Sequence, residues 1–171
     1  MKKIILTLLI LSLLSFSFAF AGEEDVLMAL ERIRAGIDNG VSYGQYCQLL
    51  VDAKSQIDLL NKHENSSASF QLFRRTVELS YGGYDVGKMI WSSTIGLQIE
   101  KERLADEEQD SSARKQLDQE IEIREQDIQK VWWAAGRALD LAYERRQRLS
   151  KKLHGSPTLF ASSGAVTTCN K

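Results

Sequence analysis

Proline is almost absent from this chain: of its 171 residues, only Pro157 is a proline. Since proline breaks helices by removing an N–H donor and by steric clash, no residue before 157 interrupts a helix in this way. The region from 23 to 153 is dominated by Glu, Gln, Leu, Ala, Arg and Lys, which lose little free energy on entering a helix. Alternating strand patterns and internal repeats are also missing, so the sequence predicts an all-α protein.

Metal ligands and nucleophiles are equally scarce. The only two histidines, His63 and His154, lie far apart in the sequence. A di-iron site in a helical bundle needs Glu-x-x-His pairs, covalent haem needs Cys-x-x-Cys-His, and zinc needs several Cys or His ligands. None of these patterns occurs, and no Gly-x-Ser-x-Gly nucleophile elbow is present. We therefore expect no bound metal, no cofactor and no enzymatic activity.

One stretch, GGYDVGKM at 82–89, has glycines and a lysine spaced almost as in a phosphate-binding loop. Such a loop follows a strand, and a Ser or Thr hydroxyl after its lysine binds magnesium. Here Met89 follows Lys88, and the residues before the glycines have a helical period. Because the apolar positions stay in phase from Val77 to Trp91, we predict a continuous helix whose glycines permit a bend or the close approach of another backbone.

Long apolar runs are absent outside the N-terminus. There, Lys2 and Lys3 precede an apolar segment at 4–18, and Ala19 and Ala21 supply the small residues of a signal-peptidase site. The apolar segment is shorter than the roughly 20 residues that span a membrane. We predict an exported protein, periplasmic or secreted, whose signal peptide is residues 1–21; an uncleaved N-terminal anchor is the alternative.

The remaining chain is close to neutral. The sequence has 22 basic and 23 acidic residues, and cleavage would remove two lysines and leave a net charge of about −3. Proteins that bind nucleic acid carry a clearly basic face, so nucleic acid is not expected as a partner. A chain of this length forms one domain of ordinary size. We predict a single helical-bundle domain at 22–153 and a flexible tail at 154–171.

Only two cysteines occur, Cys47 and Cys169, and both follow the predicted signal peptide. In an oxidising compartment, two cysteines most simply form one intramolecular disulfide. Cys169 lies two residues from the C-terminus. A bridge between two molecules and a pair of free thiols are therefore alternatives.

The first two predicted helices form a short hairpin. The first, about 23–38, ends before Gly40, because glycine accepts the left-handed conformation that closes a helix. The second, about 42–62, begins at Ser42, and Gln45 three residues later completes a capping box.

Two longer helices, about 66–105 and 112–153, form a long hairpin on which the short one packs. The third helix has a second apolar row, Leu72, Leu79 and Val86, opposite its main stripe. This helix is therefore apolar on two faces, and we expect it to be central. The predicted fold is an elongated antiparallel helical bundle.

Aromatic residues of the long helices are the candidate contact surface. Tyr84 and Trp91 share the apolar stripe of the third helix, and Trp132 and Trp133 are adjacent on the fourth. Their ordinary role is to fill the core; alternatively, they line a groove for a planar or sugar-like ligand or for a partner helix. Neighbouring helical residues point about 100° apart, so one tryptophan is expected to be exposed.

The basic residues can likewise have a structural role or belong to a binding site. Lys88 lies in the apolar stripe of the third helix, where it forms an ion pair or extends its ammonium group to water, or else holds an acidic group of a ligand. The basic cluster between Arg145 and Lys152 complements the dipole at the end of the fourth helix, or contacts anionic lipid headgroups.

The sequence as a whole predicts a non-enzymatic binding module of the cell envelope or extracellular space, whose partner is another envelope or extracellular protein. Membrane contact is expected only through the signal peptide or as weak surface contact. The alternative function is a carrier that holds a small apolar or aromatic ligand between the two long helices, near Tyr84, Trp91 and Trp132.

Overall fold

The structure is a computed structural model that describes residues 22–62, 67–106 and 111–154. Its described part contains four helices and no strand, which confirms the predicted all-α bundle. The signal peptide, the tail after residue 154 and Cys169 lie outside the described residues. The helices are α1 at 22–38, α2 at Tyr43–Asn61, α3 at Ala68–Asp106 and α4 at Ser111–His154.

The turn between α1 and α2 follows from its own residues. Gly40 has a φ of 73°, a left-handed conformation that glycine adopts without a steric penalty. The backbone N–H of Gln45 donates to Ser42 Oγ at 3.3 Å, and the Ser42 N–H donates to Gln45 Oε1 at 3.0 Å. The predicted capping box is therefore present, and it satisfies amide groups that the helix itself leaves unpaired.

Helices α3 and α4 pack along each other as an antiparallel pair. At 1.5 Å per residue, their 39 and 44 residues extend about 60 and 65 Å. Three contacts set their register: Lys101 with Asp118, Ser80 Oγ with the Ala135 carbonyl at 3.0 Å, and Arg145 Nη1 with the Leu72 carbonyl at 2.9 Å.

The short hairpin covers one side of one half of this pair. Tyr46 Oη of α2 donates to the Tyr84 carbonyl of α3 at 2.7 Å. Arg34 of α1 binds Asp140 of α4 at 2.8 Å. The core between the four helices is apolar and consists of Val26, Leu27, Ala29, Leu30, Ile33, Tyr46, Leu50, Ala53, Ile57, Leu60, Phe70, Phe73, Val77, Tyr84, Ala135, Leu139 and Ala142.

The second apolar row of α3 had indicated a central helix, but this row is not covered. Leu72, Leu79 and Val86 are 45 to 68% exposed. Leu79 and Val86 each lie two residues from a buried residue, Val77 or Tyr84, and therefore about 200° away around the helix. The short hairpin supplies only one covering layer, so the opposite side of α3 faces solvent.

Helix α3 is continuous through the glycine-rich stretch, as predicted. Gly83 lies where α3 and α4 approach closely: a Cβ there would be 2.8 Å from the Ala135 Cβ and 3.3 Å from its Cα. A Cβ on Gly87 would overlap the indole of Trp132. Gly82 has no neighbour within 4 Å of such a Cβ, so the close-approach prediction is wrong for that glycine.

Within the described ranges, none of the helices combines the length and the hydropathy that crossing a membrane requires.

Candidate functional site

Two of the predicted aromatic residues pack against each other. The ring centroids of Trp91 and Trp132 are 5.6 Å apart, and Tyr46 of α2 lies 5.5 and 5.6 Å from them. Trp132 Nε1 donates to Tyr46 Oη at 2.9 Å. The rings therefore join α2, α3 and α4 in one cluster, and each contact adds to the stability that burial provides.

The neighbouring tryptophan faces outward. Trp133 is 71% exposed, whereas Trp132 is half-buried. Adjacent side chains on a helix point about 100° apart, so one indole packs against α2 and α3 while the other faces solvent. Trp133 is therefore the predicted aromatic residue that remains available for an external contact.

Lys88 does not join the aromatic residues in a cleft. Its Nζ lies 2.6 Å from Asp85 Oδ1, three residues earlier on α3. This hydrogen bond raises the pKa of Lys88, so the ammonium group is charged and paired. The contact supports the ion-pair interpretation of this lysine.

A cleft with a cavity of about 300 Å³ lies between the end of α1 and the middle of α3 and α4. We call it the Tyr84 cleft. Gly136 is one of its lining residues, and a Cβ there would lie 3.8 Å from Arg34 Cδ and 4.0 Å from Tyr84 Oη, which are ordinary contact distances. The lining includes the predicted residues Tyr84, Trp132 and Trp133, together with Arg34, Ile37, Asp38, Gln129, Gly136, Arg137 and Asp140.

The charged groups of the Tyr84 cleft are paired with one another. Arg34 donates to Asp140 Oδ1 and to Glu31 Oε1, each at 2.8 Å. Arg137 Nη1 lies 3.7 Å from Asp140 Oδ2. These bonds hold the guanidinium and carboxylate groups in place at the edge of the cleft.

The Tyr84 hydroxyl, by contrast, has no hydrogen-bond partner among the described residues. Burial raises the pKa of Tyr84 to about 12; Arg34 opposes this shift, and the carboxylates of Glu31, Asp38 and Asp140 add to it. The phenol therefore keeps its proton at neutral pH and is available as a donor.

A second cleft, the Trp91 cleft, continues toward the far end of the long hairpin. Its cavity is about 550 Å³, and it shares Gln129 and Trp132 with the Tyr84 cleft. Its other lining residues are mostly amides and acids: Trp91, Thr94, Gln98, Glu122, Glu125, Gln126 and Ile128.

The side of the long hairpin opposite the short one carries exposed apolar residues. We call Leu72, Leu79, Val86 and Leu141 the outer face; all four are at least 45% exposed. Arg145 lies one turn after Leu141 on α4, and its guanidinium reaches the Leu72 carbonyl on α3. This contact places the Leu141 side of α4 beside the exposed row of α3.

Positive charge surrounds the outer face. The positions three or four residues from its members include three arginines, Arg75, Arg137 and Arg145, and one acidic residue, Glu144. Arg145 also donates to Thr76 Oγ1, which anchors that charge beside α3. Of the basic cluster predicted near the end of α4, Arg145 lies beside this surface, whereas Arg146 pairs with Glu24 of α1.

Cys47 is half-buried on α2. Since Cys169 lies outside the described residues, the disulfide between them stays a prediction. Among residues 22–62, 67–106 and 111–154, no group of three or more His, Cys, Asp or Glu side chains is arranged to hold a metal ion.

Sequence reasoning missed seven of the ten residues that line the Tyr84 cleft. Arg34 and Asp140 are 106 positions apart, and nothing in their local patterns indicates that they meet. Gly136 did carry a signal, because a glycine inside a helix costs about 1 kcal/mol relative to alanine and usually has a packing reason. No protein-family model, curated protein or solved structure matches this chain.

Proposed function

We propose that this chain is an exported, non-catalytic interaction protein that binds an amphipathic helix of another envelope or extracellular protein on its outer face. The observation that carries the proposal is the exposure of Leu72, Leu79, Val86 and Leu141 on one side of the long hairpin. Contiguous apolar groups on a water-facing surface mark sites of protein interaction.

The spacing of these residues favours a helical partner. Leu72, Leu79 and Val86 recur every seven residues, the repeat with which one helix packs along another in a coiled coil. Leu141 on α4 lies beside this row. The row from Leu72 to Val86 extends about 21 Å along α3, and a partner helix of about 15 residues would cover this length.

The charged residues near the outer face indicate which charges the partner helix carries. Arg75 and Arg145 lie within about one turn of outer-face residues, against one carboxylate at Glu144, whereas Arg137 lines the Tyr84 cleft and pairs with Asp140. Opposite charges across an interface speed association and disfavour wrong partners. The proposed partner helix therefore has an apolar stripe flanked by aspartate or glutamate.

Export is supported by the first 21 residues, with two lysines, an apolar segment and small residues before Gly22. The intact mass of protein recovered from its own compartment tests this part. A chain that begins at Gly22 supports it, and an uncleaved chain contradicts it. A mass two hydrogens lower, restored by reductant without dimer formation, would indicate the bond between Cys47 and Cys169.

Site-specific photo-crosslinking tests the partner. A photoreactive phenylalanine analogue replaces Leu79 in one variant and Leu59, an exposed leucine of α2, in the control. We expect a cross-linked protein from position 79 only, joined through a segment with apolar heptads and flanking acids. In the purified complex, Leu79→Glu should weaken binding at least about tenfold, as for a central contact, and Leu59→Glu should leave the affinity unchanged.

Other occupants would contradict the proposal. A cross-link from position 79 to a second copy of this chain would make the outer face a self-association surface. A cross-link to residues 155–171 would make it an intramolecular contact, and a cross-link to lipid would make it a membrane contact. Equal products from positions 79 and 59 would show that the outer face has no special role.

A carrier of a small ligand is the second candidate, and the Tyr84 cleft favours it. The packed rings of Trp91 and Trp132 occupy the space between α3 and α4. A ligand is therefore better accommodated in the cleft beside these helices, against Tyr84 and Trp133.

A further inference from the structure

The Tyr84 hydroxyl lies at the floor of the Tyr84 cleft. The side chain is 1% exposed, and the hydroxyl has no partner among the described residues. A Cβ on Gly136 would lie 4.0 Å from this oxygen, so Gly136 borders the hydroxyl on the side of the cleft. Buried polar groups are nearly always hydrogen-bonded, so a ligand hydroxyl in the cleft would complete this site.

The charges of the cleft favour a neutral ligand. Two cations, Arg34 and Arg137, and two anions, Asp38 and Asp140, line it. Asp140 already binds both arginines, so an anionic ligand would have to displace a carboxylate that is held in place. An uncharged ligand with several hydroxyl groups can instead use the free lone pairs of the carboxylates and the amide of Gln129.

The size of the cavity and the exposed indole in its wall indicate that the ligand is a ring with one apolar face. The exposed indole of Trp133 forms one wall, and its broad face offers apolar contact area with little loss of conformational entropy. A cavity of about 300 Å³ is at the lower end of small-ligand sites. It is suited to a single ring of about a dozen non-hydrogen atoms. A sugar combines an apolar C–H face with a rim of hydroxyls, whereas a flat hydrocarbon would leave Tyr84 unpaired.

We propose that the Tyr84 cleft binds a neutral sugar ring, with the C–H face of the sugar against Trp133 and one of its hydroxyls bonded to the Tyr84 hydroxyl. The Trp91 cleft adjoins through Gln129 and Trp132 and is lined by further amides and acids. A linear glycan therefore extends its next rings into this second cleft. This site differs from the outer face, because α1 contributes to it and Leu72, Leu79, Val86 and Leu141 do not line it.

Nuclear magnetic resonance of isotope-labelled protein tests the site. Glucose, galactose, N-acetylglucosamine and their linear trisaccharides are added while the Trp133 indole N–H and the Gly136 amide are followed. We expect saturable shifts at these groups for at least one sugar type. The Kd should be on the order of 1 mM for a single ring, given the usual efficiency of small polar ligands, and lower for the matching trisaccharide.

Two variants and a control sharpen the test. Gly136→Ala places a methyl group in ordinary contact with Arg34 Cδ and Tyr84 Oη, so the fold is retained while the methyl group takes up space in the cleft beside the hydroxyl. We expect this variant and Trp133→Ala to weaken sugar binding at least tenfold, as read from the neighbouring amides. Val51→Ala, at an exposed site on α2, should bind as the wild type does.

Three results would overturn the proposal. One is the absence of saturable shifts with every sugar tested. A second is a response of the same residues to indole-3-acetate or inorganic phosphate but to no sugar, which would identify an anion site. The third is sugar binding that survives both Gly136→Ala and Trp133→Ala, which would place the ligand elsewhere on the molecule.

Discussion

At the scale of single residues, Tyr46 and Tyr84 show how much the environment of a hydroxyl matters. Both side chains are fully buried. Tyr46 Oη donates to the Tyr84 carbonyl and accepts from Trp132 Nε1, whereas Tyr84 Oη has no partner among the described residues. Removing a hydroxyl from each therefore has different consequences.

We expect Tyr46→Phe to destabilise the protein by about 2 kcal/mol, because it removes the acceptor of the Trp132 indole N–H and the donor to the Tyr84 carbonyl. Tyr84→Phe should leave stability unchanged or raise it by up to about 1 kcal/mol, because no internal hydrogen bond is lost. Urea unfolding of the two variants measures the difference. Equal losses of stability would show that the Tyr84 hydroxyl has a partner after all.

The same tyrosine predicts an alkaline limit to stability. Burial raises the pKa of Tyr84 from 10.0 to about 12. Above pH 10 the unfolded chain loses a proton that the folded chain keeps, so unfolding becomes more favourable until about pH 12. The slope is about 1.4 kcal/mol per pH unit for each such group.

Urea unfolding at several alkaline pH values, compared between wild type and Tyr84→Phe, checks this expectation. The variant should lose stability less steeply between pH 10 and 12, and the two proteins should have parallel pH dependences below pH 10. Identical slopes across the alkaline range would mean that the phenol ionises as easily in the folded protein as in the unfolded chain.

At the scale of elements, the continuity of α3 and the packing around its glycines depend on different residues. The apolar period on both sides of the glycines indicated one continuous helix, and α3 is continuous. The reason for each glycine depends on its neighbour across the helix pair. Gly87 makes room for the indole of Trp132, whereas Gly82 faces open space.

Alanine at these two positions should therefore change stability in opposite directions. Gly82→Ala should stabilise the protein by up to about 1 kcal/mol, the intrinsic helix preference of alanine over glycine. Gly87→Ala should destabilise it by about 2 kcal/mol, because its methyl group forces the Trp132 indole to move. Thermal or urea unfolding measures both. Stabilisation by both substitutions would show that the indole does not pack against Gly87.

At the scale of the whole molecule, the bundle is unevenly covered. The short hairpin packs on the half of the long hairpin that contains Phe73, Tyr84 and Leu139. Among the residues whose side chains are described, none beyond Thr94 on α3 and none before Ile128 on α4 is buried. The far end of the long hairpin is thus a two-helix pair without a covering layer.

Hydrogen exchange should reveal this difference. Amides at 95–104 and 115–127 should exchange faster than those at 73–84 and 132–142, because few buried contacts oppose local opening there. Mass spectrometry of exchanged peptides measures it, with a dilute sample as a control for association. Equal protection of both ends in the dilute sample would contradict an uncovered far end.

Three of the ten residues that line the Tyr84 cleft could be predicted, because aromatic residues of the long helices follow the helical period. Tyr84, Trp132 and Trp133 were identified in this way, and all three line the Tyr84 cleft. Arg34 and Asp140, which provide its charges, were not identified. Their meeting depends on how α1 lies against α4, and no local pattern carries that information.

The sequence by itself determined the helices and their ends, the capping box at Ser42 and the continuity of α3. These features depend on residues three or four positions apart, so neighbouring side chains suffice to specify them. Only the tertiary structure decided which faces are covered. It left the row of Leu72 in solvent and opened a cleft at Gly136, because burial is set by residues far apart in the chain that meet when the two hairpins pack.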